Sequence, residues 1–212
     1  MSYDLHEAFS LDSFQDSLLF WEDFEGDSVK DLWTIANNAT GTIAVVDAQD
    51  GGVARLNEPA SADFSILNWN NIRSLHINKK LTFETRIKIS ADTSDRYLEL
   101  YLYFDGDNYV LWRVPSSGTS NLLRCENDNT PTNANGSTIS DTDYHIYRIE
   151  CSSTAVHFYL DGVEEPNSPI TANIPSDAGD YLQPRIYGLN INPGTGGGIY
   201  YDIDYIVIRQ EI

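Results

Sequence analysis

Basic residues are scarce in this chain: 13 Lys and Arg stand against 32 Asp and Glu in 212 residues, for a formal net charge of −19. So few cations exclude the clustered Lys and Arg that bind phosphate backbones, so nucleic acid and anionic membranes are not expected partners; neutral or basic partners are. No apolar run is long enough to span a bilayer. The start, MSYDLHEAFSLDSF, has neither the basic opening nor the apolar core of a secretory signal, so synthesis in a cytoplasm is expected. Cysteine is limited to Cys125 and Cys151, whose pairing the sequence leaves open; reduced, half-buried thiols are the expected state. The four histidines, His6, His76, His145 and His157, show no i, i+4 pairing. Cys-x-x-Cys and Gly-x-Ser-x-Gly are both missing, so no zinc site or serine nucleophile is visible. The glycine-rich PGTGGG at 193–198 lacks the Lys and the following helix of a phosphate cradle. Long amphipathic helices and fixed-period repeats are absent as well.

What is present is short strands. Tyr144 to Val163, YHIYRIECSSTAVHFYLDGV, alternates on both sides of a Ser-Ser-Thr turn and stops at Asp-Gly, which predicts a β-hairpin with one face on a core. Leu81, Phe83, Thr85, Ile87 and Ile89 form the inward set of another strand, with Thr82, Glu84, Arg86 and Lys88 facing out. From Leu19 onward, clusters of Gly, Asn, Asp, Pro and Ser separate about ten to twelve such strands, an all-β sandwich in a single domain over 19–212. Residues 116–143 read as long loops around one short strand, Leu122 to Cys125. Residues 1–18 form an N-terminal arm in which Leu11, Phe14 and Leu18 fall at helical spacing, after a shorter stripe of Leu5, Ala8 and Phe9.

The hairpin resembles those of concanavalin A-like and laminin-G-like jelly rolls, as do LFWEDFEGDSVKDLW (19–33), LTFETRIKIS and YYDIDYIVIRQ (200–210) in that order. The resemblance implies a two-sheet antiparallel jelly-roll sandwich carrying the N-terminal arm. Residues 41–67, GTIAVVDAQDGGVARLNEPASADFSIL, are similar to stand-alone jelly rolls among the virion structural proteins of tailed bacteriophages. That likeness implies a non-catalytic capsid decoration or auxiliary protein, in the virion after synthesis in the host cytoplasm. Its partners would be the major capsid protein or other virion proteins, held through Leu5, Phe9, Phe14, Leu18 and Leu19. A homo-oligomer is compatible with this reading, and no residue demands one.

The same superfamily includes laminarinase-like glycosidases, whose catalytic strand carries Glu-φ-Asp-φ-x-Glu because hydrolysis needs two carboxylates side by side. The candidate strand, Arg96 to Phe104, instead offers Tyr97, Glu99, Tyr101 and Tyr103 on one face, so tyrosines stand where the partner carboxylates belong. With Tyr109 on the next strand, these rings form a face suited to stacking on a sugar or anchoring a protein. A carbohydrate-binding, lectin-like module is therefore the alternative function, and a polysaccharide-cleaving enzyme with an unrecognised site the second. Asp202 and Asp204 share a face at i and i+2 and read as a solvated strand edge. Asp105 and Asp107 offer oxygens to a hard cation such as calcium, but a tight turn is the expected role and no cofactor is required.

Overall fold

Alternation decides which way each strand faces. In the computed structural model, Leu81–Ile89 buries every odd-numbered residue and half-exposes every even one, as the sequence pattern requires. The structure describes residues 17–25, 29, 32–38, 40–48, 51–60, 63–69, 74–90, 96–115, 119–139, 141–177, 179, 181–191 and 198–211. Fifteen strands lie among them, more than the ten to twelve expected, arranged as two antiparallel sheets that enclose one core.

The eight-stranded sheet runs β13 (Val163–Glu164), β12 (Val156–Leu160), β11 (Tyr144–Cys151), β6 (Leu81–Ile89), β15 (Ile199–Glu211), β4 (Gly51–Glu58) and β3 (Thr42–Ala48). The thirteen-residue β15 is long enough to take β4 along its first half and β1 (Ser17–Glu22) along its second. The seven-stranded sheet runs β10 (Thr130–Thr138), β9 (Ser120–Asn127), β8 (Tyr109–Val114), β7 (Arg96–Tyr103), β14 (Gln183–Asn190), β5 (Phe64–Asn68) and β2 (Thr34–Asn37). A 3-10 turn, Ile77–Lys79, leads into β6.

Two expectations are corrected. Residues 116–143 hold a two-stranded hairpin, β9 and β10, rather than one short strand in loops. Its turn, Asp128-Asn129, has positive φ at both positions (48° and 60°), which Asp and Asn tolerate and which a tight two-residue hairpin needs. β10 is an edge strand, so its sequence TPTNANGST has no apolar period to betray it. Strand pairing also includes Ser17–Glu22, which puts Leu18 and Leu19 in β1 opposite Gln210 and Arg209, within the sheet rather than on a free arm. Leu5, Phe9 and Phe14 lie outside the described residues.

The two sheets are tied together by large rings. Trp112 of β8 is fully buried, edge-on to Tyr147 of β11 (5.3 Å) and Phe158 of β12 (5.7 Å) in the opposite sheet. Tyr201 of β15 crosses the core and donates its hydroxyl to the carbonyls of Tyr97 and Leu189, each at 3.0 Å, so it pins the paired ends of β7 and β14. Its ring fills the space above Gly188, where an added Cβ would come within 2.7 Å of it. Cys125 and Cys151 are free thiols in different sheets, both pointing into the core, and burial pushes both pKa values up.

Glu58 at the end of β4 is completely buried. Burial raises its pKa to about 7, the Ser65 hydroxyl offsets part of that rise, and the charge of Asp63 adds to it. An acid whose pKa is higher folded than unfolded costs stability as pH climbs from the unfolded value through the folded one. Glu58→Gln is therefore expected to match the native chain near pH 4.5 and to exceed its stability by about 1–2 kcal/mol at pH 8. Urea midpoints across that range will check it; equal midpoints at pH 8 would remove Glu58 as the cause.

Candidate functional site

β7 lies at the centre of the seven-stranded sheet and turns Leu98, Leu100 and Leu102 into the core. Tyr97, Glu99, Tyr101 and Tyr103 consequently share the outer face. Register brings in the neighbours: Tyr109 and Arg113 of β8 stand opposite Tyr103 and Glu99, while Arg185 and Tyr187 of β14 stand opposite Tyr101 and Glu99. All five residues of the expected binding face are thus on one surface. Tyr101 is edge-on to both Tyr103 (6.0 Å) and Tyr109 (5.5 Å).

Glu99 is 5% exposed, and each of its oxygens has a donor. Arg113 Nε reaches Oε1 at 2.5 Å and the Tyr101 hydroxyl donates to Oε2 at 2.7 Å. Burial would lower the Arg113 pKa, but the charge of Glu99 and its hydrogen bond hold it above its ordinary value. The Tyr101 phenol is pushed far up, first by burial and then by the adjacent Glu99 charge, so it stays protonated and serves as a donor, never as a base. A second Glu–Arg–Tyr unit repeats two strands away. The Tyr109 hydroxyl donates to Glu126 at 2.5 Å, and Arg124 bonds both Tyr109 and Asn133.

Glu126 is the nearest other carboxylate on the described strands of this face, two strands across and four residues along from Glu99. Strand geometry puts about 10 Å and about 13 Å between them in those directions. A retaining glycosidase needs its carboxyls about 5–5.5 Å apart and an inverting one about 6.5–9.5 Å, so Glu99 and Glu126 cannot act together.

The other candidates resolve differently. β15 is an interior strand, so Asp202, in register with Arg55 and Lys88, is not on a solvated edge, while Asp204 sits at a bulge in the pairing with β6. Asp202 is 6% exposed and takes a two-pronged bond from Arg55 (2.7 and 2.8 Å), and Asp204 pairs with Arg86 at 2.6 Å. Asp105 closes the β7–β8 turn by accepting from the Asp107 amide (3.0 Å) and the Asn108 side chain (3.1 Å). No group of three or more His, Cys, Asp or Glu is arranged to hold a metal among the described residues. On the opposite sheet, half-exposed Trp21 stacks on Tyr205 at 5.4 Å, an aromatic pair the sequence pattern did not single out.

No protein-family model matches the chain, and no curated protein sequence does. Solved structures do match. A β-1,3-glucanase from Mycobacterium marinum superposes with a TM-score of 0.67 at 14% identity, covering 89% of this chain and 97% of its own. A glycosyl hydrolase family 16 protein from Mycobacterium smegmatis gives 0.68 at 15% identity, over 89% of this chain and 98% of its own. This chain has the β-glucanase jelly-roll fold. A protein of Mycobacterium tuberculosis described as a pseudo β-1,3-glucanase gives 0.68 at 16% identity, over 91% and 98%. These neighbours overturn the expectation of a bacteriophage shell-decorating protein, since all three are glucanase-type or glycosyl hydrolase proteins. The misleading segment, 41–67, is the β3–β4 hairpin leading into β5, a pattern that any such sandwich needs.

Arg113, Arg124, Arg185, Tyr187 and Glu126 were missed by the sequence reading. Each lies on a strand other than β7, and the signal that would have found them is the register of β8, β9 and β14 against it.

Proposed function

We propose that this protein is a carbohydrate-binding jelly roll that holds a polysaccharide across the outer face of the seven-stranded sheet and does not hydrolyse it. One observation carries the reading: at the centre of that face, the carboxylate that could do chemistry is locked between Arg113 and Tyr101, and its neighbours on the strand are aromatic rings. Rings of this kind, apolar on their faces with a polar tip, stack on pyranose rings and hydrogen-bond their hydroxyls. The fold shared with glucanases supports a saccharide as the partner, and the lack of a carboxylate pair on the described strands of this face supports binding in place of cleavage. A glycan array followed by product analysis tests it. The expected result is retention of at least one polysaccharide class with no new reducing ends after prolonged incubation. Released oligosaccharides would make the protein an enzyme, and an array with no signal would remove the saccharide altogether.

A further inference from the structure

Arg185 differs from the salt-bridged cations of the two sheets. Arg55, Lys80, Arg86, Arg113, Arg124 and Arg148 each have an acidic partner within 4 Å, as expected where acids outnumber bases so heavily. Among the described residues Arg185 has none. Its guanidinium instead lies over the Tyr103 ring, 3.5 Å from the centroid, and its Nε donates to Asn68 Oδ1 at 2.6 Å. Asn68 is itself 9% exposed, so the arginine is held from below by a ring and from one side by a nearly buried amide. The ring contact and the Nε bond fix the plane and leave the terminal nitrogens to meet a ligand.

A flat, fixed guanidinium edge matches a planar two-oxygen acceptor, and pre-orientation lowers the entropy lost on binding. Its setting is favourable too: on the described strands of this face Arg113 and Arg124 are matched by Glu99 and Glu126, which leaves the Arg185 charge uncompensated by any strand carboxylate. Net charge alone points to neutral or basic partners, but this face is an exception to it.

Resting on the saccharide reading above, we infer that the polysaccharide is a uronate polymer, with the sugar carboxylate received by Arg185 and a neighbouring pyranose ring stacked on Tyr101. A chain of charge −19 repels polyanions at long range, so retention of one requires a built receptor.

The test is affinity electrophoresis of the full chain through gels containing polygalacturonate, alginate, hyaluronan, fully methyl-esterified polygalacturonate, neutral β-1,3-glucan or dextran sulfate, at one ionic strength. At least one of the three uronate polymers is expected to retard the protein at least tenfold more strongly than the esterified polymer or the neutral glucan. Arg185→Gln is expected to weaken that retention about tenfold with an unchanged circular dichroism spectrum and melting temperature, and Arg185→Lys to restore only part of it. Retention by the neutral glucan alone, unaffected by Arg185→Gln, would overturn the uronate assignment and leave the saccharide reading standing. Preference for dextran sulfate over every uronate polymer would overturn the carboxylate. Failure to bind any polymer would defeat both readings.

Discussion

Tyr101→Ala is expected to weaken glycan binding about thirtyfold, on the order of 2 kcal/mol, the scale of removing a central aromatic anchor. Tyr101 is the hub of the face: its ring meets Tyr103 and Tyr109, and its hydroxyl closes the Glu99 network. The variant loses a ring that would stack on sugar and also frees a half-buried pocket beside Glu99. Tyr101→Phe separates those contributions, because it keeps the ring and removes the hydroxyl. It should retain most of the affinity while costing about 1–2 kcal/mol of stability through the lost bond to a charged acceptor. Isothermal titration with a retained oligosaccharide and a parallel denaturant series provide the two readings. Equal affinities for Tyr101→Ala and the native chain would place the ligand elsewhere.

The largest stability loss is expected from Trp112→Ala, about 3–5 kcal/mol. The indole is the contact through which β8 reaches β11 and β12 across the core, so truncation leaves a cavity between Tyr147 and Phe158 that neither ring can fill without leaving its edge-on geometry. For a chain of this length that is a fall in melting temperature on the order of 10 °C. Trp112 Nε1 has no hydrogen-bond partner among the described residues. Trp112→Phe should therefore cost much less, since it removes an unpaired buried donor along with part of the packing. Because Leu111 and Arg113 flank Trp112 on the outer face, the alanine variant that remains folded at low temperature should also bind glycan more weakly. A loss below about 1 kcal/mol, on the same principle, would mean that the sheets close over the gap.

The fold was legible wherever one face of a strand is buried. LTFETRIKI in β6 and VHFYL in β12 alternate cleanly because one side meets the core and the other meets water. β10 was not legible, since an edge strand of Thr, Asn and Ser has no apolar side to show. The site was half legible. Tyr97, Glu99, Tyr101 and Tyr103 alternate within one strand, so their common face follows from a period of two. Arg113 and Arg185 meet that strand only through registers separated by many residues, and local spacing cannot supply those. Asp202 and Asp204 show the same limit. Their i, i+2 spacing correctly implies a shared outer face, with buried Ile203 between them, but not that each carboxylate is taken by a different arginine from a neighbouring strand.

That a polysaccharide lies across the outer face of the seven-stranded sheet is tested most directly by amide chemical-shift mapping of the full chain during titration with a retained oligosaccharide. The account predicts that the largest shifts fall on Glu99, Tyr101, Tyr103, Arg113, Arg185 and Tyr187. Shifts concentrated around Trp21, Tyr144 and Tyr205 on the eight-stranded sheet would contradict it.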